Sequence, residues 1–122
     1  MKLGILPCQG ACNVGQMTNR AALKFVDNDK VNMVCSLGLP LGIKTVIDMA
    51  ALNEKYIALN GCPLKCASKA LESADIKNYE EVTLTTDFGI QKNKNFSDDT
   101  KIDEVKAKVQ SLIEDYFSKE GK

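Results

Sequence analysis

Three short apolar runs, KLGILPC at 2–8, VNMVCS at 31–36 and KYIALNG at 55–61, each end at or beside a cysteine. Runs of this length, bounded by Gly, Pro or Asn, predict buried strands. YEEVTLTTDFGI at 79–90 alternates and is rich in β-branched residues, which predicts a fourth strand. Helical spacing fills the intervals. Strand alternating with helix predicts a parallel sheet covered on both faces.

The first helix is expected to open at Asn13, where NVGQ places a capping residue three before Gln16, and Val14, Met17, Ala21 and Phe25 then recur at helical spacing. Ile43, Val46, Ile47 and Ala50 form a stripe in a second helix. A third is expected from Pro63, which suits a first helical turn, through Leu64, Ala67, Leu71 and Ala74 to about Asp75. After the polar NKNFSDDT (93–100), Ile102, Val105, Val109, Leu112, Ile113 and Tyr116 predict a C-terminal amphipathic helix at about 100–119. The expected architecture is a single three-layer α/β domain over 1–122, with a mainly parallel four-stranded sheet of Rossmann-like or flavodoxin-like kind.

A chain of 122 residues supports one ordinary core. Sixteen basic residues balance sixteen acidic ones, and Arg20 is the only arginine, so nucleic acid is not an expected partner. The opening MKLGILPCQG lacks the apolar run of a secretory signal, and no stretch approaches membrane-spanning length. A cytoplasmic protein with no membrane partner is expected; the sequence leaves a protein partner open. Five cysteines, an odd number, point to free thiols rather than disulfide staples. There is no His, which removes Ser-His-Asp and Cys-His catalysis and every mixed Cys/His zinc site.

Ligands of parallel sheets sit outside the carboxyl ends of the strands. Cys8 ends the first expected strand, Cys12 lies in the loop after it, Cys35 ends the second and Cys62 follows the third. On a helix starting at Pro63, Cys66 lies about 40° from Cys62, whereas the apolar stripe lies at roughly 120° to 200°. The two thiols would then share a face away from the core. Such a pair suits tetrahedral zinc, with Cys8 and Cys35 as partners. The net charge of such a site, about −2, would be offset by a helix N-terminus and by Lys65 and Lys69. Cys12 is a fifth ligand, a spare thiol or a loop residue. Cys35 taken alone reads more readily as a core cysteine, and the lysines of QKNK (91–94) as a solvated loop.

Two other chemistries use the same residues. Cys62 or Cys66 at a helix start could serve a thiol-dependent redox or persulfide-transfer enzyme, and four thiolates also suit an iron–sulfur cluster. Both cysteine pairs are C-x-x-x-C, unlike the C-x-x-C of thioredoxin-like dithiols. Val14 and Ser68 stand where a phosphatase-like loop needs Arg, and no P-loop or G-x-G-x-x-G is present.

PCQGACNVGQMTNRAA, MVCSLGLPLG, YIALNGCPLKCASKALE and TLTTDFGIQK, taken in order over about 3–96, resemble the DGC domain family. That family is considered zinc-binding on the strength of four cysteines, and the resemblance implies zinc on Cys8, Cys35, Cys62 and Cys66. It also implies that Asn13 and Gln16 belong to the loop that shapes the site, beside their reading as a helix cap. Asn60 stands where the family motif has Asp, and Cys12 where a small polar residue is expected. The resemblance implies no particular reaction, so whether the chain is an enzyme stays open.

Overall fold

The structure is a computed structural model in which residues 3–120 are described; Lys2, the first residue of the expected first strand, lies outside them. Nine elements follow in order: β1 (Leu3–Pro7), α1 (Asn13–Leu23), β2 (Val31–Met33), α2 (Lys44–Ala50), β3 (Lys55–Asn60), α3 (Cys66–Ser73), β4 (Tyr79–Thr83), α4 (Leu84–Phe88) and α5 (Ile102–Glu120). The four strands form one sheet in the order β2-β1-β3-β4. All three pairings are parallel, with Leu3 opposite both Val31 and Lys55, and Tyr56 opposite Tyr79.

Side chains alternate across this sheet, as strand geometry requires. Leu3, Ile5, Ile57, Leu59 and Val82 face one side, where they pack with Val14, Met17 and Ala21 of α1 and Val105, Val109 and Ile113 of α5. Leu6, Tyr56 and Ala58 face the other, against Ala50 of α2 and Ala67, Ala70 and Leu71 of α3. The fold is therefore α/β with helices on both faces, and the apolar stripe of α5 covers the sheet as expected. Among the described residues no helix is long and apolar enough to cross a membrane.

Three expectations need correction. The fourth strand stops at Thr83, and Leu84–Phe88 form a short helix closed by Gly89 in the left-handed conformation (φ 67°). Asp87 accepts a hydrogen bond from the Thr83 N–H at 2.9 Å, which satisfies a donor that a helix start leaves free. The third helix begins at Cys66 rather than Pro63. Cys62–Lys65 instead make a turn in which the Lys65 N–H donates to the Cys62 carbonyl at 3.0 Å, and Lys65 itself is left-handed (φ 54°). Proline favours the second position of such turns as much as the first turn of a helix, so the local signal was ambiguous. Leu64 is consequently exposed rather than part of the core stripe. The α2 stripe is also mostly outside: only Ala50 is buried, while Ile43 and Ile47 face solvent.

Candidate metal centre

The strand order places β1 between β2 and β3, so the chain runs from β1 out to β2 on one side and then crosses back to β3 on the other. The crevice at the carboxyl ends of β1 and β3 is thus the switch point at which parallel sheets place ligands. Cys8 directly follows β1, and its N–H extends the ladder by donating to the Leu59 carbonyl of β3 at 2.9 Å. Cys62 follows β3 after Asn60 and Gly61. Cys35 comes two residues after β2, and Cys66 opens α3. All five cysteines are free; Cys12 and Cys62 are buried, Cys8 is half-buried, and Cys35 and Cys66 are exposed.

Burial pushes the Cys8 thiol above its ordinary range. Backbone hydrogen bonds from Gly10 and Gly61 oppose that shift, and the neighbouring Cys66 and Cys62 thiols reinforce it. Cys8 thus senses two thiols from another segment while two amides stand ready for its thiolate. The structure brings Cys8, Cys62 and Cys66 to one edge. Cys35 stands apart on an exposed loop, in a hollow shared with Gln9, Met33 and Val34. The expectation of Cys35 as a core cysteine therefore fails. The geometry also corrects the angular argument for Cys62 and Cys66: because Cys62 sits in the preceding turn, the two do not share a helix face.

Cys12 has a different task. It is the N-cap of α1, and its Sγ accepts from the Gly15 N–H at 3.4 Å, a role expected of Asn13. Asn13 is fully buried and ties down the chain beyond α4. Its Oδ1 accepts from the Asn93 N–H at 2.7 Å, and its Nδ2 donates to the Gln91 carbonyl at 2.8 Å and to Asp98 at 3.4 Å. Gln16 reaches back from α1 and donates to the Gly10 carbonyl at 2.9 Å, fixing the loop between Cys8 and Cys12. Both residues shape the site's loops.

The segment held by Asn13 delivers Lys92, whose Nζ lies 3.7 Å from Cys62 Sγ. QKNK is therefore more than a solvated loop. Lys65, by contrast, is engaged elsewhere, 3.1 Å from Glu81, so Lys92 replaces it as the cation beside the thiols. Arg20 secures the far end of the segment through Asp99 at 2.7 Å and the Phe96 and Asp98 carbonyls at 3.0 and 3.2 Å. Hydrogen bonds from Thr100, Asn93 and Asn13 pull Asp98 down to about 2 from an ordinary value of 3.8.

Asn60, buried at the end of β3, caps α3 from outside it. Its Oδ1 accepts from the Ser68 N–H at 3.1 Å and its Nδ2 donates to Ser68 Oγ at 2.9 Å. An amide at this position leaves the Ser68 hydroxyl proton free for Glu81, whose carboxylate is held below its usual range first by Lys65 and then by Ser68. Asn60→Ala strands a buried helix-start donor and is expected to cost about 1–2 kcal/mol in denaturant unfolding. Asn60→Asp keeps both contacts to Ser68 by accepting twice, and its expected loss is below about 1 kcal/mol. An alanine variant as stable as the parent would contradict this role.

The Thr85 N–H donates to the Gly61 carbonyl at 3.2 Å, tying α4 to the thiol loop. Thr85 Oγ1 is buried without a hydrogen-bond partner among the described residues.

The donor chemistry fits a thiophilic metal, since free thiols meet cationic Lys92, two backbone donors to Cys8 and the N-terminus of α3. The spacing is looser than a closed site: among the described residues, no three His, Cys, Asp or Glu side chains stand so that they could hold a metal ion.

The family model for the DGC domain matches residues 4–111, so the likeness extends past Gln91 and Lys92 into α5. The anaerobic and virulence modulator AnvM of Pseudomonas aeruginosa is 27% identical over 88 residues, covering 72% of this chain. The match spans 66% of that relative's length, just under two thirds. The chain matches no solved structure. With the family model covering most of its length, the chain belongs to the DGC domain family.

Proposed function

We propose that the chain is a zinc-binding protein whose ligands are Cys8, Cys35, Cys62 and Cys66, with a structural role or one in metal and sulfur handling. The observation that carries this reading is the placement of free Cys8, Cys62 and Cys66 at the switch point of the sheet, near enough that Cys66 and Cys62 both act on the Cys8 thiol. Binding would draw these three together, and Cys35 would close over them from its exposed loop. Zinc would supply the attraction that loosely gathered thiols lack, because metal binding and local ordering are one equilibrium. Lys92 and the start of α3 would offset the negative charge. Cys12 is the spare thiol, since its sulfur already caps α1. The reading needs reduced thiols, as a cytoplasmic protein keeps them.

Single Cys→Ser variants test the ligand set. Cys62→Ser and Cys66→Ser are expected to weaken zinc binding at least tenfold, measured by competition with a chelator, as are Cys8→Ser and Cys35→Ser. Cys12→Ser is expected to leave affinity within about threefold of the parent. Equal loss at Cys12, or no loss at Cys62 and Cys66, would overturn the assignment.

One observation favours a second reading. Cys66 is exposed at the first residue of α3 and lines a cleft with Cys8, as a thiol enzyme transferring electrons or persulfide sulfur would require. Thiol labelling separates the two: a zinc site releases metal as its cysteines react, whereas a catalytic thiol reacts fast with no metal lost.

A further inference from the structure

The loops after β1 and β2 and the first turns of α3 flank an open cleft of about 550 Å³. Its size is that of small-molecule sites. Leu37 and Pro40 on one wall and Ala70 on the other make it largely apolar, and Cys8 and Cys66 open into it. Leu37 is exposed, so its side chain offers apolar surface to whatever enters the cleft.

Lys69 is the one cationic side chain lining the cleft, and no Asp or Glu lines it. The nearby cations are committed, Lys65 to Glu81 and Lys92 to Cys62. Lys69 makes no ion pair among the described residues. An apolar slot with a single uncompensated ammonium complements a ligand with an apolar body and one negative charge. The geometry points to a binding site for a small amphiphilic monocarboxylate, its carboxylate on Lys69 and its hydrocarbon portion against Leu37, Pro40 and Ala70. A dianion finds only one cation here, and a cationic amphiphile meets Lys69 with like charge. This inference goes beyond the metal reading and does not need it, although the ligand would lie beside two of the proposed zinc ligands.

Octanoate, 1-octanol and octylamine, titrated into the reduced full chain at pH 7 and low salt, test it by amide chemical shifts. The titration is run on chelator-treated and on zinc-loaded protein, so that binding to the metal-free chain stands whatever becomes of the zinc assignment. Octanoate is expected to bind three- to tenfold more tightly than octanol and to shift amides at 36–39 and 66–70. Octylamine is expected to bind weakest. Lys69→Gln should abolish the preference for octanoate while leaving octanol binding unchanged, and Leu37→Asp should weaken both. Equal affinity for octanoate and octanol, no binding of octanoate, shifts confined to other surfaces, or a preference that survives Lys69→Gln would each overturn the proposal.

Discussion

Gly15→Ala is expected to destabilise the fold by about 2–4 kcal/mol and to lower the melting temperature by roughly 8–15 °C, although it replaces a glycine within a helix. In an open helix the same change stabilises by about 1 kcal/mol. The sign reverses because a Cβ on Gly15 would lie 2.6 Å from Gly10 N and 2.7 Å from Gly10 C, and would also strike the Gly10 carbonyl oxygen. These are backbone atoms of the loop between Cys8 and Cys12, fixed in addition by Gln16. The loop must therefore move, and Cys8, which draws a hydrogen bond from Gly10, must move with it. A melt of the chelated protein reads the stability, and zinc competition reads the displaced thiol. A variant that melts higher than the parent would show that the loop yields freely.

Asn13→Ala is the second large effect, about 2–4 kcal/mol. The side chain is fully buried, and its loss strands the Asn93 N–H and the Gln91 carbonyl together. Arg20 still clasps residues 96–99, so the segment loosens locally rather than leaving the surface. Hydrogen exchange at Asn93 should accelerate by at least tenfold, and Lys92 should lose its place beside Cys62. Asn13→Asp keeps the acceptor for Asn93 but loses the donor to Gln91 and sets a carboxylate against Asp98. Its cost is expected to be close to that of alanine. Unchanged exchange at Asn93 in both variants would show that the segment is held by other contacts.

Most of the sheet was legible because β1 and β3 are short apolar runs buried along nearly their whole length, the pattern of inner parallel strands. The faces of α1 and α5 were legible for the complementary reason, since Val14, Met17, Val105 and Val109 keep helical period and bury completely. The segment after β4 misled because LTTDF continues a β-branched alternation, whereas the signals that decide it, Asp87 near the helix start and Gly89 at its end, concern caps rather than period. Pro63 misled because its ring suits a turn and a helix start alike. The exposed side chains Ile43 and Ile47 show that an apolar stripe locates a helix face without saying that anything covers it.

The thiols at the sheet edge followed from counting strand ends, and the structure gathers Cys8, Cys62 and Cys66 there. Lys92 and Asn60 escaped because their roles are tertiary. Lys92 reaches Cys62 across thirty residues of chain, and Asn60 caps a helix that begins six residues later. Position at the end of β3 was the signal in the residues themselves that could have given Asn60 its role, since a polar residue ending a buried strand needs a partner.

X-ray absorption at the zinc edge of the reduced, zinc-loaded chain tests the central claim most directly, because it counts the atoms bound to the ion. The account predicts one zinc per chain with four sulfur neighbours at about 2.3 Å. A shell dominated by oxygen, or a reduced chain that takes up no zinc, would contradict it.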